Sequence, residues 1–239
     1  FAHPVCHNTE ALIYGTNEKK DVSGGWHDAG DYDIRVESQA GEAYVLALAY
    51  EHFGAYWDET SIDFVNKITE MHQPDGKNDI LQQIEHGALT VVNGYLALGR
   101  LYRGIICNNL RQYVLLGDAA AMTDGIPGND DDRWVFTEDN PDREMSTATN
   151  LAATARVLRG FNDTLAVHCE NIAKEIFANT PKARLTGKLH TAAELYQTTG
   201  DAAYFDFIIE NWDTCVKTAG QCAWYIAPVE RQMSTQKKY

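Results

Sequence analysis

Apolar residues recur at helical spacing through most of this chain. From about position 38 onward they fall three and four positions apart, for example at Ala43, Leu46, Ala47 and Tyr50, which is the pattern of one buried helix face. Strand patterns are scarce by comparison. The same helical spacing continues through five further runs, at 80–102, 146–161, 162–177, 185–198 and 202–215. The pattern therefore predicts an all-α protein.

Turn-forming residues separate these runs. Pro, Gly, Asn and Asp favour turns through their φ preferences or their side-chain hydrogen bonds to the backbone. They cluster at 74–76, 125–128, 140–142, 180–181 and 200–201. Successive helical hairpins of this length fit a bundle, a solenoid or an α/α toroid, and the pattern does not separate the three. Alanine pairs at 152–153 and 192–193 favour closely packed helices, as an inner ring of helices would need.

Size and charge narrow the class of protein. With 239 residues and 44% hydrophobic content, the chain can bury a substantial core, and one domain is the default expectation. The formal net charge of −14 and the lack of a basic stripe argue against a nucleic-acid partner. No apolar run approaches the roughly 20 residues of a transmembrane helix, so no transmembrane segment is predicted. An acidic surface is compatible with a neutral polysaccharide substrate.

Five cysteines, an odd number, leave at least one thiol without a partner inside the chain. Cys215 and Cys222 lie seven positions apart and are the pair best placed for a disulfide, but two buried free thiols are an equally ordinary outcome. The chain begins at Phe1 rather than Met, which we interpret as the removal of a leader or an upstream segment.

The candidate catalytic residues are concentrated at residues 21–32, which read Asp-Val-Ser-Gly-Gly-Trp-His-Asp-Ala-Gly-Asp-Tyr. Asp28 and Asp31 are three positions apart among glycines that let the backbone turn tightly, so both carboxylates can lie at the opening of one cleft. Two close carboxylates raise each other's proton affinity, and one that stays ionised can take a proton from water, as hydrolysis of an acetal requires. Trp26 and Tyr32 offer flat apolar faces for a sugar ring. A solvated turn or a calcium loop is the alternative interpretation of such an aspartate pair alone.

The complete twelve-residue string resembles the signature of glycoside hydrolase family 9, the endoglucanase-type cellulases. The resemblance implies that Asp31 is the general base that activates water and that Asp28 is the partner acid that helps to hold that water. Two later stretches, 145–177 and 190–204, are similar to helical segments of the same family in the same order. The resemblance implies an (α/α) six-hairpin toroid, with the cleft at one end and the Asp28 loop on its rim.

We expect residues 1–239 to form the N-terminal part of such a catalytic domain. Residues 1–37 would carry the zinc and catalytic-base loop region, and residues 38–239 the helical hairpins. The family takes its general acid from a Glu near the C-terminal end of the domain, and neither Glu210 nor Glu230 lies in a matching context. The expected acid therefore lies outside this chain, which alone would be inactive. A shortened relative that has lost hydrolysis is the alternative.

Cys6, His7 and His27 are the main candidate zinc ligands before Asp28. Cys6 and His7 are adjacent, and His27 follows twenty positions after His7. Thiolate and imidazole are the ligands that zinc prefers, and a structural site needs four. From spacing alone, His27 as an active-site wall and Cys6 as a small buried residue remain the alternative. A subset of family 9 is similar here, with Cys-His, Tyr-Gly-Thr-Asn and Gly-Gly-Trp-His in order. That resemblance implies a structural zinc whose fourth ligand is a Cys upstream of this chain, with His3 as a second candidate.

Calcium is not expected. The acidic stretches 130–132 and 138–139 offer oxygen ligands without the loop periodicity of a dedicated site, and we interpret them as solvated acidic loops. The acids that bind calcium in some family 9 members fall near 184–189 here, where the chain has no carboxylate.

The resemblance implies hydrolysis of a β-linked glucan, cellulose-like or of a mixed or xyloglucan type, by an inverting mechanism, with a polysaccharide or oligosaccharide as the substrate. It also implies a secreted, periplasmic or cell-surface protein. A non-hydrolytic carbohydrate-binding or scaffold protein with a degenerate family 9 fold is an alternative. A toroid that acts on uronic-acid polymers is disfavoured, because Arg35 and the Lys19-Lys20 pair are the only basic residues near the signature loop.

Overall fold

The computed structural model describes residues 10–13, 15–16, 18–22, 24–28, 33–63, 66, 68–107 and 133–217. Its helices are α1 (Val36–Phe53), α2 (Asp79–Leu98), α3 (Pro141–Leu158), α4 (Asp163–Asn179), α5 (Leu185–Thr199), α6 (Ala202–Glu210) and α7 (Trp212–Lys217). Its strands are β1 (Glu10–Ile13), β2 (Lys19–Asp21), β3 (Ile34–Arg35), β4 (Thr60–Asp63), β5 (Ile68–Met71), β6 (Gly104–Cys107) and β7 (Arg133–Phe136).

Four of the helices begin at a side chain that caps their first turn. Asn78, Asn140 and Asn162 precede α2, α3 and α4, and the side-chain oxygen of each accepts a hydrogen bond from the backbone N–H three positions later. Asp201 caps α6 by accepting from the N–H of Ala203. Because a helix leaves its first N–H groups without backbone partners, each cap contributes about 1 kcal/mol. Two of the turn clusters, 140–142 and 200–201, are thus helix starts.

Helices α1, α3 and α5 lie side by side with their N-terminal ends together. Arg143 of α3 is 3.3 Å from Glu37 of α1, measured from Nη1 to Oε1. Asp142 of α3 is 2.5 Å from Arg184, the residue that precedes α5, measured from Oδ2 to Nε. These two ion pairs place three helix starts at one end of the molecule, and the Asp28 segment leads into the first of them.

The C-terminal ends of the same three helices are joined by Arg156 of α3. Its guanidinium lies 2.5 Å from Glu51 near the end of α1 and 3.0 Å from Glu194 of α5, and it donates to Thr198 Oγ1 at 3.1 Å. Two parallel helices that lie side by side must be connected by a helix that runs in the opposite direction. Accordingly, α2 packs on α1, α4 on α3 and α6 on α5. The helices therefore form two layers, one of α1, α3 and α5 and one of α2, α4 and α6.

The core lies between these two layers. In α3, Ala148, Leu151, Ala152 and Ala155 are all at most 1% exposed, and such small side chains let neighbouring helices approach closely. Cys169 of α4 is a free, buried cysteine in the same core. Burial raises the pKa of the Cys169 thiol to about 12, so it packs as a neutral apolar group.

A small sheet covers the N-terminal end of α1. Its five strands have the order β2-β1-β7-β6-β3, in which β1 and β7 are parallel and the other pairs are antiparallel. A separate antiparallel hairpin, β4 and β5, lies between α1 and α2 in sequence. Strand β3 continues directly into α1, so the sheet fixes where that helix starts.

The all-α toroid class predicted from the sequence is confirmed by the helix order and by the solved structures reported below. Three helix predictions need correction. The run 80–102 is too long, because α2 ends at Leu98, and the run 146–161 starts and ends too late, because α3 spans Pro141–Leu158. The run 202–215 is interrupted at Asn211. The strands were not predicted, because strands of two to four residues are too short to show an alternation. Within the described residues, no helix is both long and apolar enough to cross a membrane.

Candidate active site

The signature segment lies against α1 and α2, just before β3. Residues 24–28 of it belong to the described part of the chain, which includes Trp26, His27 and Asp28. Asp31 and Tyr32 lie outside the described residues, as do Cys6 and His7. Of the two predicted carboxylates, the structure therefore describes Asp28 and the segment that leads into it.

Gly24 and Gly25 have backbone conformations that other residues rarely adopt, with φ of +104° and +81°. The N–H of Gly25 donates to the carbonyl oxygen of His86 in α2 at 2.9 Å. A Cβ on Gly25 would lie 2.5 Å from Oε1 of Gln39, closer than real Cβ contacts allow. Glycine is therefore needed here for both the turn and the close approach, as the sequence predicted for the tight bend.

The backbone of Trp26 is bound by the side chain of Gln39 in α1. The N–H of Trp26 donates to Gln39 Oε1 at 2.7 Å, and Gln39 Nε2 donates to the carbonyl oxygen of Trp26 at 2.9 Å. Gln39 is 2% exposed, so water does not compete with these bonds. The amide thus satisfies both backbone groups of Trp26 and attaches the segment to α1.

The indole ring of Trp26 lies against α2. Its Nε1 donates to Gln83 Oε1 at 3.0 Å, and its ring meets that of His86 edge-on at a centroid distance of 5.7 Å. Gly87 leaves room for the ring, because a Cβ at that position would collide with it. Trp26 is half-buried, and its predicted role as a sugar platform stays a prediction.

Thr90 of α2 anchors the start of the same segment. Its hydroxyl donates to the carbonyl oxygen of Val22 at 2.8 Å and lies 2.7 Å from the hydroxyl of Tyr102. Burial raises the pKa of the Tyr102 phenol, so Tyr102 remains protonated and able to donate. These groups are buried, and they attach the start of the segment to α2.

Asp28 lies at the surface end of the segment. Its N–H donates to the carbonyl oxygen of Asp33 at 2.7 Å, and its Oδ2 lies 3.2 Å from Nε of Arg35. The Asp28 side chain is 33% exposed, whereas that of Arg35 is 18% exposed. The Asp28 carboxylate is therefore partly open to solvent, and a largely covered guanidinium holds its Oδ2.

Arginine–glutamate ion pairs stabilise the β3–α1 junction, which follows the signature segment. Arg143 Nη1 lies 2.8 Å from Glu138 Oε1, and Arg103 Nε lies 3.7 Å from Glu138 Oε2. Arg103 also pairs with Glu37 at the start of α1. This cluster ties the β3–α1 junction to β6 and α3, and it engages Glu138, one of the acids considered above for calcium.

His27 lies between Trp26 and Asp28 and is half-buried. The other two zinc ligands implied by the resemblance lie outside the described residues. Among the residues that the structure does describe, no three His, Cys, Asp or Glu side chains are grouped closely enough to hold a metal.

The residues that support the segment were not predicted from the sequence. They are Gln39, Gln83, His86 and Thr90, together with Arg35, the partner of Asp28. One signal was available for Gln39. It lies on the apolar stripe of α1 with Val36, Ala40 and Ala43, and a polar side chain at a buried position indicates a buried hydrogen-bond partner.

Comparisons with known proteins agree with this architecture. The model of the Glycosyl hydrolase family 9 matches residues 1–234. Endoglucanase D of Acetivibrio thermocellus is 26% identical over 230 residues, covering 85% of this chain. A metagenome-derived glycoside hydrolase family 9 endoglucanase has a similar fold, with a TM-score of 0.63 at 21% identity over 89% of this chain. A Zn-binding triple mutant of a GH family 9 endoglucanase gives a TM-score of 0.61 at 23% identity over 87% of this chain.

The match is extensive for this chain but partial for its relatives. The chain covers 34% of Endoglucanase D, and 40% and 42% of the two solved structures. Because the family model matches nearly the whole chain, the chain belongs to glycosyl hydrolase family 9.

Proposed function

We propose that the full-length protein containing this chain hydrolyses a β-linked glucan with inversion at the anomeric carbon. The observation that carries the proposal is the family match, which spans the Asp28–Asp31 signature. Endoglucanases among the similar proteins support a β-glucan as the substrate class, cellulose-like or of a mixed or xyloglucan type. From the resemblance of the signature segment to family 9 we also propose a secreted, periplasmic or cell-surface protein.

In this proposal Asp31 takes a proton from a water molecule whose oxygen bonds to the anomeric carbon. The glycosidic C–O bond breaks at the same time, and a protonated Glu outside these 239 residues gives its proton to the leaving oxygen. Asp28 accepts a hydrogen bond from the attacking water and holds it in line. The partial exposure of Asp28 and the attachment of the preceding residues Gly25 and Trp26 to α2 and α1 support this role.

Trp26 and Tyr32 would border the sugar on the same side. Trp26 is half-buried, and its indole N–H is already bound to Gln83 of α2. A ring fixed in this way loses little conformational freedom when a sugar stacks on its open part.

We also propose a structural zinc held by Cys6, His7 and His27, with a fourth ligand upstream. One thiolate and two imidazoles match the donor set that zinc prefers, and a solved family 9 relative is described as Zn-binding. The ion would attach the N-terminal segment to the residue next to Asp28, and its chemistry there would be purely structural.

The decisive experiment measures reducing ends released from β-glucan by the full-length protein and the anomer formed first, by NMR. We expect the α-anomer, and we expect Asp31→Asn to lose at least about 100-fold in kcat while cello-oligosaccharide binding is retained. A folded full-length protein that binds glucan without releasing reducing ends would instead favour the non-hydrolytic, carbohydrate-binding alternative.

A further inference from the structure

Arg35 is held in place by the strand that carries it. Its strand neighbour Ile34 is 0% exposed, and because successive strand side chains point to opposite faces, Arg35 points away from the core. Arg35 is opposite Gly104 in the antiparallel pair of β3 and β6. A Cβ on Gly104 would collide with the carbonyl oxygen of Ile34, so glycine permits this close pairing. The backbone of Arg35 is therefore fixed against β6.

The guanidinium of Arg35 meets the carboxylate of Asp28. The N–H of Asp28 donates to the carbonyl oxygen of Asp33 at 2.7 Å, so Asp28 is bound to the residue that directly precedes β3. An ion pair of 3.2 Å between Arg35 Nε and Asp28 Oδ2 joins Asp28 to β3 itself. A charge-assisted hydrogen bond to one carboxylate oxygen limits the rotation of the carboxylate and directs the other oxygen.

The acid that follows Arg35 in the sequence has other partners. Glu37 lies two positions after Arg35, but it pairs with Arg103 and lies 3.3 Å from Arg143. Two guanidinium groups thus already neutralise Glu37. Within the described part of the chain, Arg35 is the cation that pairs with Asp28.

We propose that Arg35 is a positioning residue for hydrolysis, which fixes the Asp28 carboxylate so that Oδ1 is aimed at the attacking water. The inference rests on the proposed function. Arg35 acts through Asp28 and does not itself touch the reacting atoms.

The test is a double-mutant cycle in the full-length protein with Arg35→Ala, Asp28→Asn and both changes together. Misplacement of a water-holding group slows the chemical step more than substrate binding. We therefore expect Arg35→Ala to lower kcat about 10- to 100-fold and to change KM less than about threefold. The same change should have little further effect on kcat in the Asp28→Asn background, since its target is gone. Arg35→Lys, which keeps the charge without the planar fork, should recover part of kcat.

Arg184→Ala is the matched control, because Arg184 forms an ion pair with Asp142 at the start of α5 and is 80% exposed. It should leave kcat within about twofold of the wild-type value. Losses of kcat that multiply in the double variant, or an Arg35→Ala protein with wild-type kcat, would overturn the inference. If Arg35→Ala does not fold, Arg35→Gln, which keeps a long polar side chain, takes its place in the cycle.

Thermal midpoints of the same four proteins test the ion pair without any activity. The losses in Tm should be smaller in combination than the sum of the two single losses, and additive losses contradict the pairing. A protein with coupled Tm values but no glucan hydrolysis would overturn the proposed function, whereas an active protein with uncoupled residues would overturn the role of Arg35 alone.

Discussion

The side-chain amide of Gln39 satisfies both backbone groups of Trp26, with hydrogen bonds of 2.7 and 2.9 Å. Gln39 belongs to the first turns of α1, and Trp26 belongs to the segment that ends at Asp28. A residue of the helical core therefore determines where the candidate catalytic segment lies. Packing of α1 and the position of the site are consequently coupled.

Gln39→Leu should destabilise the full-length protein by about 2 to 3 kcal/mol. Leucine fills a similar volume but leaves the N–H and C=O of Trp26 without their partner in a covered position, and each such group costs about 1 to 3 kcal/mol. Denaturant unfolding measures the loss.

Gln197→Leu is the matched control for this change. Gln197 is half-buried in α5 and makes one long hydrogen bond of 3.4 Å to the carbonyl oxygen of Ala193. Its replacement should cost less than about 1 kcal/mol. Equal losses in the free energy of unfolding for the two variants would show that the hydrogen bonds from Gln39 to Trp26 do not stabilise the fold more than the single long bond of Gln197.

Gly25→Ala should be more destabilising than Gly76→Ala, although both glycines have nearly the same φ, +81° and +83°. The left-handed conformation alone costs a residue with a Cβ about 1 to 2 kcal/mol. At Gly76 nothing lies within 4 Å of the added Cβ, whereas at Gly25 the Cβ would lie 2.5 Å from Gln39 Oε1. We expect about 1 kcal/mol for Gly76→Ala and at least about 3 kcal/mol for Gly25→Ala. Equal changes in the free energy of unfolding would contradict the close contact with Gln39.

The helices could be predicted from the sequence because their signal is local. A period of 3.6 residues over three or more turns is visible in any one stretch, and α1 to α5 all show it. The strands have no such signal, since β1 and β7 are parallel partners with more than a hundred positions between them along the chain, and their pairing depends on the packed helices.

The candidate site could also be predicted only where its residues are close together in the sequence. Asp28, Trp26 and the glycine bend are consecutive in sequence, so their chemistry could be read together. The partners that hold them, such as Gln39 and Gln83, come from helices that reach them only after folding. Arg35 is close in sequence to Asp28, but its direction follows from the pairing of β3 with β6, which no local pattern shows.

Zinc content tests the proposed structural site directly. The full-length protein, purified without added metal or chelator, should contain about one zinc per chain by mass spectrometry. His27→Ala should lose most of that zinc and lower Tm, because the ion would attach the N-terminal segment to the site. His52→Ala, an exposed histidine at the end of α1, should retain the zinc of the wild type. A His27→Ala protein with unchanged zinc would exclude His27 as a ligand.

Acid should destabilise the protein through His190 of α5. Its ring is packed against Tyr44 of α1, with Nε2 3.2 Å from the Tyr44 hydroxyl, and burial lowers its pKa to about 3. The folded protein therefore keeps His190 neutral while the unfolded chain takes up a proton below about pH 6.5. The stability that this histidine contributes is complete above pH 6.5 and is lost as the pH falls from 6.5 toward 3.

The size of the effect follows from the shift in pKa. Each unit is worth about 1.4 kcal/mol, so between pH 7 and pH 5 wild type should lose about 2 kcal/mol more than His190→Gln, which cannot titrate. Burial also raises the pKa of the neighbouring Glu194 carboxyl, which acts in the opposite direction because the folded protein then binds the extra proton. Glu194 is present in both proteins, so the difference between their unfolding free energies isolates His190. Parallel pH profiles for the two proteins would show that His190 is not held neutral in the fold.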